Sequence, residues 1–367
     1  MDKQEFQDLF SRLEQKMSTE SARTNSYWMV RASGGYFYDT FRDENFVALT
    51  TKERYLRIVD SVAPYRSEDI KCRRKILELI PGFENDLRRK TLLASYIQRM
   101  AFHMHEGDIV LMPSGGASHI CIGRIIESEL TRDENIVSRF SIARKVEWIT
   151  EIPKHVLDPC LYRALGAHQA ISDITQYREF VERNYNSVFS INGMSHYVLT
   201  LNSPTINARD FSQLILSILN VAQEVSNEYS LDVNVNDVAV STYLNSPGKI
   251  DLQGSLKACL IIMTVAAALS GGSVSTDNFS IEANGLIPTI VSGINEYRLT
   301  SEKIESEQRN FDAASQSLST KSVEQWTKTL EEMNNSQPTQ QVDSVSVEEE
   351  LAIEESNTPE EEQQEEL

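Results

Sequence analysis

The feature that most constrains this chain is a long uncharged stretch. Between Lys257 and Asp277 lie nineteen residues, ACLIIMTVAAALSGGSVST, and the strongly apolar part runs only from Ala258 to Leu269. A membrane-spanning helix needs about 20 predominantly apolar residues, whereas runs of about 10–14 are more often buried core helices. Such a segment must be covered on every side. Two surroundings satisfy it: a domain interior packed around a helix at 254–270, or a bilayer crossed by a single helix at about 254–274. In the second case Lys249 and Lys257 before the run, against Asp277 and Glu282 after it, favour an orientation with the preceding chain inside.

Composition narrows the rest. Hydrophobic residues make up 40% of the 367, which excludes a wholly disordered chain and a polytopic membrane protein. The net charge of -19 is unevenly spread: residues 331–367 hold 13 acidic residues and no Lys or Arg, while residues 1–163 hold 25 basic against 24 acidic. The segment 334–367 is rich in Gln, Ser, Pro and Glu and reads as a disordered acidic tail. The first half is therefore close to neutral, and the global charge does not forbid phosphate there. Cys72, Cys121, Cys160 and Cys259 are far apart and form no CxxC, against a zinc ribbon or a secreted disulfide scaffold. The first residues, MDKQEFQDLFSRLEQK, lack the apolar core of a signal peptide, so a cytoplasmic protein is expected, membrane-associated if the 254–274 helix spans.

Periodicity places the elements. Phe6, Leu9, Phe10, Leu13 and Met17 recur at helical spacing, an amphipathic helix within residues 1–24. YWMVRA (27–32), NFVALTT (45–51), DIVLM (108–112), HICIGRII (119–126) and VSRFSIARKVEWI (137–149) are strand-like, with helical patterns at 52–60, 67–80 and 84–105 between them. Residues 25–175 thus form a small bent sheet or barrel with inserted helices. In 190–300, the strand HYVLTLNS (196–203) precedes a helix capped by Asn207 and running to about Tyr229. A strand or bent hairpin follows at 231–244, then the apolar helix and a further helix in GLIPTIVSGINEY, making a small α/β domain. Residues 301–333 read as a polar helix containing Trp326. The expected fold class is α+β, a small β-barrel with helical insertions followed by this α/β domain.

Chemistry is sparse. Trp28, Arg31, Tyr36, Phe37, Tyr38 and Phe41 surround Gly34-Gly35. Exposed aromatic faces stack nucleobases and a glycine pair lets backbone approach a ligand; the same aromatics would equally fill a barrel core. Arg73-Arg74-Lys75, Arg88-Arg89-Lys90 and Arg139, Arg144 and Lys145 offer phosphate partners or solvated faces. His103, His105 and His119 lack the i, i+4 spacing of a helical metal pair, and GxxxxGK[ST], GxGxxG and GxSxG are absent. No metal, cofactor or catalytic residue is called for.

Three segments in order, SYWMVRASGGYFYDTFRDENFVALT (26–50), GDIVLMPSGGASHICIGRIIE (107–127) and ARKVEWITEIPKHVLDPCLYRALGAHQAISDI (143–174), resemble the PUA/EVE-like module that precedes the nuclease domain of some Mrr-type restriction proteins and related phage-defence proteins. The resemblance implies a pseudo-barrel that reads nucleic acid, DNA or RNA, often through a modified or extruded base. The nucleic-acid-binding set is then Trp28, Arg31, Gly34, Gly35, Tyr36, Tyr38, Arg144 and Lys145. Those nucleases also carry a downstream Asp followed by a Gln/Glu-x-Lys strand. Here Asp251-Leu252-Gln253 comes nearest, and no Lys follows at the needed place. The expectation is a bacterial nucleic-acid-recognising binding protein without its own nuclease site, self-associating through the 190–300 region. A membrane-associated effector or scaffold and a degenerate nuclease are the alternatives.

Overall fold

The computed structural model describes residues 1–322, apart from 22–24, 50–54, 84–85, 141, 168, 204, 244–247 and 271–280, together with Lys328. The expected acidic tail and Trp326 lie outside the described residues. The fold is α+β, two sheets with helices packed on them.

The chain opens with α1 (Lys3–Ser21), then enters the first sheet at β1 (Tyr27–Val30). Helix α2 (Tyr38–Asp43) leads to β2 (Phe46–Leu49). Three helices follow, α3 (Leu56–Val62), α4 (Asp69–Leu79) and α5 (Leu87–Gln98), the last started by the Asp86 carboxylate, which accepts from the Arg89 amide at 2.8 Å. A wide turn, Arg99–His103, closes α5. The chain returns as the hairpin β3 (Ile109–Pro113) and β4 (His119–Ile125), passes a short α6 (Glu134–Val137), and runs the long β5 (Ile142–Pro153). Short α7 (Tyr162–Leu165), β6 (Ile171–Asp173) and α8 (Arg178–Glu182) complete this half.

The strand order is β2-β5-β4-β3-β1-β6, antiparallel except for β1 beside β3. Alternation decides the faces. Trp28, Val30, Val110, Met112 and Cys121 pack towards α2–α5, whereas Tyr27, Met29, Ile109, Leu111, Ile120 and Ile122 pack beneath the segment from Val156 to Tyr185. Covering both faces explains why these strands read as near-continuous apolar runs. The sheet curls where β4 and β5 lose register at Ile122/Gly123. A Cβ on Gly123 would lie 2.5 Å from Val146 Cγ1 and 2.6 Å from Trp148 Cε3, so only glycine admits this curvature.

The second sheet contains β7 (Val188–Ile191), β8 (Met194–Leu201), β9 (Ala239–Tyr243), β10 (Gly248–Gly254) and β11 (Thr320–Ser322), all paired antiparallel, in the order β11-β8-β10-β9 with β7 also on β8. The β-α-β succession expected at 190–300 therefore builds no parallel pair. Helix α9 (Ala208–Tyr229) carries the chain from β8 to β9, which does not pair with β8; β10 lies between them, antiparallel to both, and 231–244 holds one short strand. Tyr197, Leu199, Leu201, Ile250 and Leu252 face the helices α1, α9, α10 (Leu256–Leu269), α11 (Ile281–Thr300) and α12 (Glu302–Leu318).

Helix α10 settles the choice posed by the apolar run. Every residue from Ala258 to Leu269 is buried, against α9, α11 and the sheet. Among the described residues no helix is long and apolar enough to cross a membrane. The helix is 14 residues long and its N-terminus is capped by Ser255. The N-terminal helix belongs to the same core: Phe6, Phe10, Leu13 and Met17 are buried there, and the Phe6 ring stacks on Tyr229 at 3.8 Å.

The opposite, polar face of the second sheet meets the end of the first half. Fully buried Arg183 bonds Asp158 at 3.0 Å and Asp251 at 3.1 Å, and Lys249 donates to Asn184 Oδ1 at 2.7 Å. Burial pushes the Lys249 pKa down to about 7.

Two predictions follow from this packing. Phe6→Ala lowers stability by about 3–5 kcal/mol, the range for deleting a buried aromatic, measured by urea unfolding. Lys249 has a folded pKa below its unfolded value of about 10.4, so between these two values the unfolded chain holds the extra proton. Its burial penalty is complete below pH ~7 and is relieved as pH rises towards ~10, by about 1.4 kcal/mol per unit. Lys249→Met removes this component of the stability–pH slope; identical slopes in parent and variant contradict it.

Candidate functional site

Two glycine turns meet at one end of the first sheet. After β1 the chain reverses through Ser33, Gly34 and Gly35, all with positive φ (51°, 62° and 102°). Between β3 and β4, Ser114-Gly115-Gly116-Ala117 turns with Gly116 at φ 63°. The turns approach so closely that a Cβ on Gly35 would lie 2.2 Å from the Gly115 nitrogen. The second turn is pinned: Ser114 Oγ accepts from the His119 amide at 2.9 Å, and the Lys154 amide donates to Ser118 O at 2.8 Å.

Together with Arg31, Lys154, Tyr162 and Leu165 these turns wall a cavity of about 330 Å³. Lys154 Nζ stands 5.5 Å from the Tyr162 ring centroid, and the exposed Tyr162 donates its hydroxyl to Lys154 O at 3.0 Å. The Arg31 guanidinium donates to Ala167 O at 2.9 Å and also to Leu165 O, which holds the far wall. The cavity thus offers one ammonium, one aromatic ring and the bare backbone of Gly34, Gly35 and Gly116, with the Arg31 guanidinium engaged in its wall. That combination suits a planar, hydrogen-bonding ligand attached to an anion.

The eight residues expected from the sequence separate into distinct roles. Arg31, Gly34 and Gly35 line the cavity. Tyr36, next in the chain, is 67% exposed and packs edge-on against Phe37. Trp28 is buried, and its indole donates to Asp108 Oδ2 at 2.8 Å. Tyr38 is buried too; its hydroxyl donates to Glu151 at 2.8 Å and lies 3.1 Å from Cys121 Sγ. Burial first, then Cys121 and Glu151, raise the Tyr38 pKa, and burial pushes the Cys121 thiol up to about 12. Arg144 is almost fully buried, with its guanidinium spent on four carbonyls, Met100, Ala101, Glu127 and Ser128. Burial lowers its pKa to about 10. Lys145 points the other way along β5 and pairs with Glu127 at 3.4 Å. Trp28, Tyr38 and Arg144 therefore present nothing to the cavity.

The basic runs stay on α4 and α5 and are largely engaged locally. Arg73 donates to Gln98 at 2.9 Å, Lys75 meets Glu78 at 2.6 Å, and Arg89 lies over Phe83 at 5.7 Å. The three histidines do not converge: His103 pairs with Asp69 at 3.0 Å, and His119 contacts Ser118. Lys154 and Tyr162 were not singled out from the sequence. The available signal was the second glycine pair, Gly115-Gly116, which mirrors Gly34-Gly35 and marks the same close approach.

No protein-family model matches the chain, and no curated protein or solved structure matches it.

The glycines give a graded test. Gly34→Ala meets no atom within 4 Å and bears only the left-handed backbone cost, about 1–2 kcal/mol. Gly35→Ala adds a collision with the Gly115 backbone, so its loss in urea unfolding is the larger by roughly 1–3 kcal/mol. Equal losses would mean that the two turns do not touch in solution.

Proposed function

We propose that the first half is a PUA/EVE-like module that recognises nucleic acid by drawing one base, unmodified or modified, into the cavity between the glycine turns. The carrying observation is that cavity: about 330 Å³, walled by two turns built around glycine pairs, with Lys154 and Tyr162 together on its wall. An extruded base is held by stacking and by hydrogen bonds to its edge, and its phosphates remain outside. Here Tyr162 supplies the aromatic face, turn backbone the hydrogen bonds, and Lys154 the charge for a flanking phosphate. The exposed Tyr36, beside Gly35, is placed to stack a neighbouring base.

The near-neutral charge of residues 1–163 fits a module that selects a base more than one that coats a backbone. The resemblance to modules of restriction and phage-defence proteins supplies the biological setting of the proposal, a bacterial system in which recognition is separate from cleavage.

Binding of short single- and double-stranded DNA and RNA, with and without modified bases, at low salt tests the proposal. Tyr162→Ala weakens binding by about 1–3 kcal/mol, the value of one stacked base, and Lys154→Glu weakens it while steepening no other property of the fold. Absence of affinity for all the oligonucleotides overturns the proposal, as does full affinity in both variants.

A further inference from the structure

A second constellation lies where the halves join. Glu179 comes from α8 of the first half, while His196 and Asp251 come from β8 and β10 of the second sheet. One ligand atom from each lies within 4.8 Å of the other two. Register explains the convergence. His196 is opposite Gln253 in the β8–β10 pair, and Asp251 is two residues from Gln253, so all three side chains share the polar face. The imidazole is stacked flat on Phe189, with centroids 4.6 Å apart and rings 8° from parallel, so its plane is fixed before any ligand arrives.

Three features distinguish this junction from an ordinary ion pair. First, it holds an excess of anions: Asp158, Glu179 and Asp251 surround the guanidinium of Arg183, and among the described residues Lys249 is the further buried Lys or Arg beside them. Second, the bonds on Asp251 are lopsided. Oδ2 accepts from Arg183 and from Gln253 at 3.1 Å each and also lies 3.1 Å from His196 Nδ1, whereas Oδ1 is approached by the same His196 Nδ1 at 3.1 Å. Third, polar capacity is left over: the Nε of fully buried Arg183 has no hydrogen-bond partner, nor has the buried Thr200 hydroxyl on the same sheet face. An unpartnered guanidinium N–H is a donor and binds no cation itself; it is met by a water, such as one carried in on an ion's open positions.

The geometry points to a divalent metal site formed by Glu179, His196 and Asp251. Two carboxylates and one imidazole suit a borderline ion such as Zn²⁺ or Mn²⁺. Ligand bonds of about 2.0–2.2 Å require the three groups to draw together, and the ion takes over the part of Arg183 that spans Glu179 and Asp251. Arg183 keeps two other anchors, Asp158 at 3.0 Å and the Tyr243 ring at 4.0 Å. Entry is from the side of Glu179, whose side chain is 38% exposed. Because the ligands come from both halves, the ion clamps the two sheets together.

The test uses the full chain, freed of metal by chelation. Mn²⁺ is titrated with free ion counted by electron paramagnetic resonance, and Zn²⁺ is followed by the shift in thermal midpoint. The many carboxylates of residues 331–367 also attract cations, so sites are counted by difference. Glu179→Gln, at a part-exposed position and confirmed folded by circular dichroism, abolishes one site or weakens it by roughly tenfold or more, at least the effect of an outer-shell change. It also removes most of the Zn²⁺-dependent rise in midpoint. His196→Gln, confirmed folded by circular dichroism, does the same. Parent and Glu179→Gln chains with the same number and affinity of sites, or a parent without saturable binding of either ion, overturn the inference and leave a purely structural ion-pair network.

Discussion

The rest of the molecule depends on one buried guanidinium. Arg183 has no solvent exposure, yet it touches carboxylates from both halves: Asp158, close after β5, and Asp251 in the middle of β10. Removing a charge from water costs several kcal/mol, and the cost is recovered only with well-placed partners. Burial alone would pull the Arg183 pKa down; Asp251, Tyr243, Glu179 and Asp158 together more than offset it, and the net shift is upward. An interaction of this kind has steep angular and distance requirements. It therefore specifies how the sheets meet, where a greasy contact would allow sliding.

The first half uses the same device on a smaller scale. Arg144 gathers carbonyls from the end of α5 and from the loop after β4, and Asp108 collects Trp28, Ser26 and His105. These polar struts lie beneath the curled sheet and hold its inserted helices. With the frame fixed from inside, the two turns at the rim can be built around glycine pairs, with Ser114 pinning the second. Their bare backbone is what makes the cavity.

Much of this was legible from local pattern. The spacing of Phe6, Phe10, Leu13 and Met17 gives an amphipathic helix, and the short apolar runs DIVLM and HICIGRII give two strands, both present. The apolar run announced that Ala258–Leu269 must be covered, since its residues leave no polar face. Which matter covers it is a non-local fact, supplied by α1, α9 and α11. The strand partners of 190–300 were illegible for the same reason: helix α9 between two strands suits a parallel or an antiparallel return. Other information was present and decisive. Arg144 and Lys145 are adjacent on a strand, so they point to opposite faces, and only one of them can be solvated. Lys154 and Tyr162 gave no local sign because they reach the cavity from a segment some forty residues beyond the Gly115-Gly116 turn in sequence, joined to it by tertiary folding alone.

The docking of α1 has a consequence for how the chain is made. Its apolar stripe seats against Tyr229 and the helices α10 and α11, more than two hundred residues downstream. During synthesis this helix emerges long before its seat exists, while the whole first sheet forms between them. Closing so large a loop is slow, and the exposed Phe and Leu side chains meanwhile are open to other molecules. The second core can reach its final density only after α11 and α12 have left the ribosome. The amphipathic helix α1 therefore acts as a latch: it can seat only once α9, α10 and α11 exist, and until it does the apolar core around α10 stands open on one side.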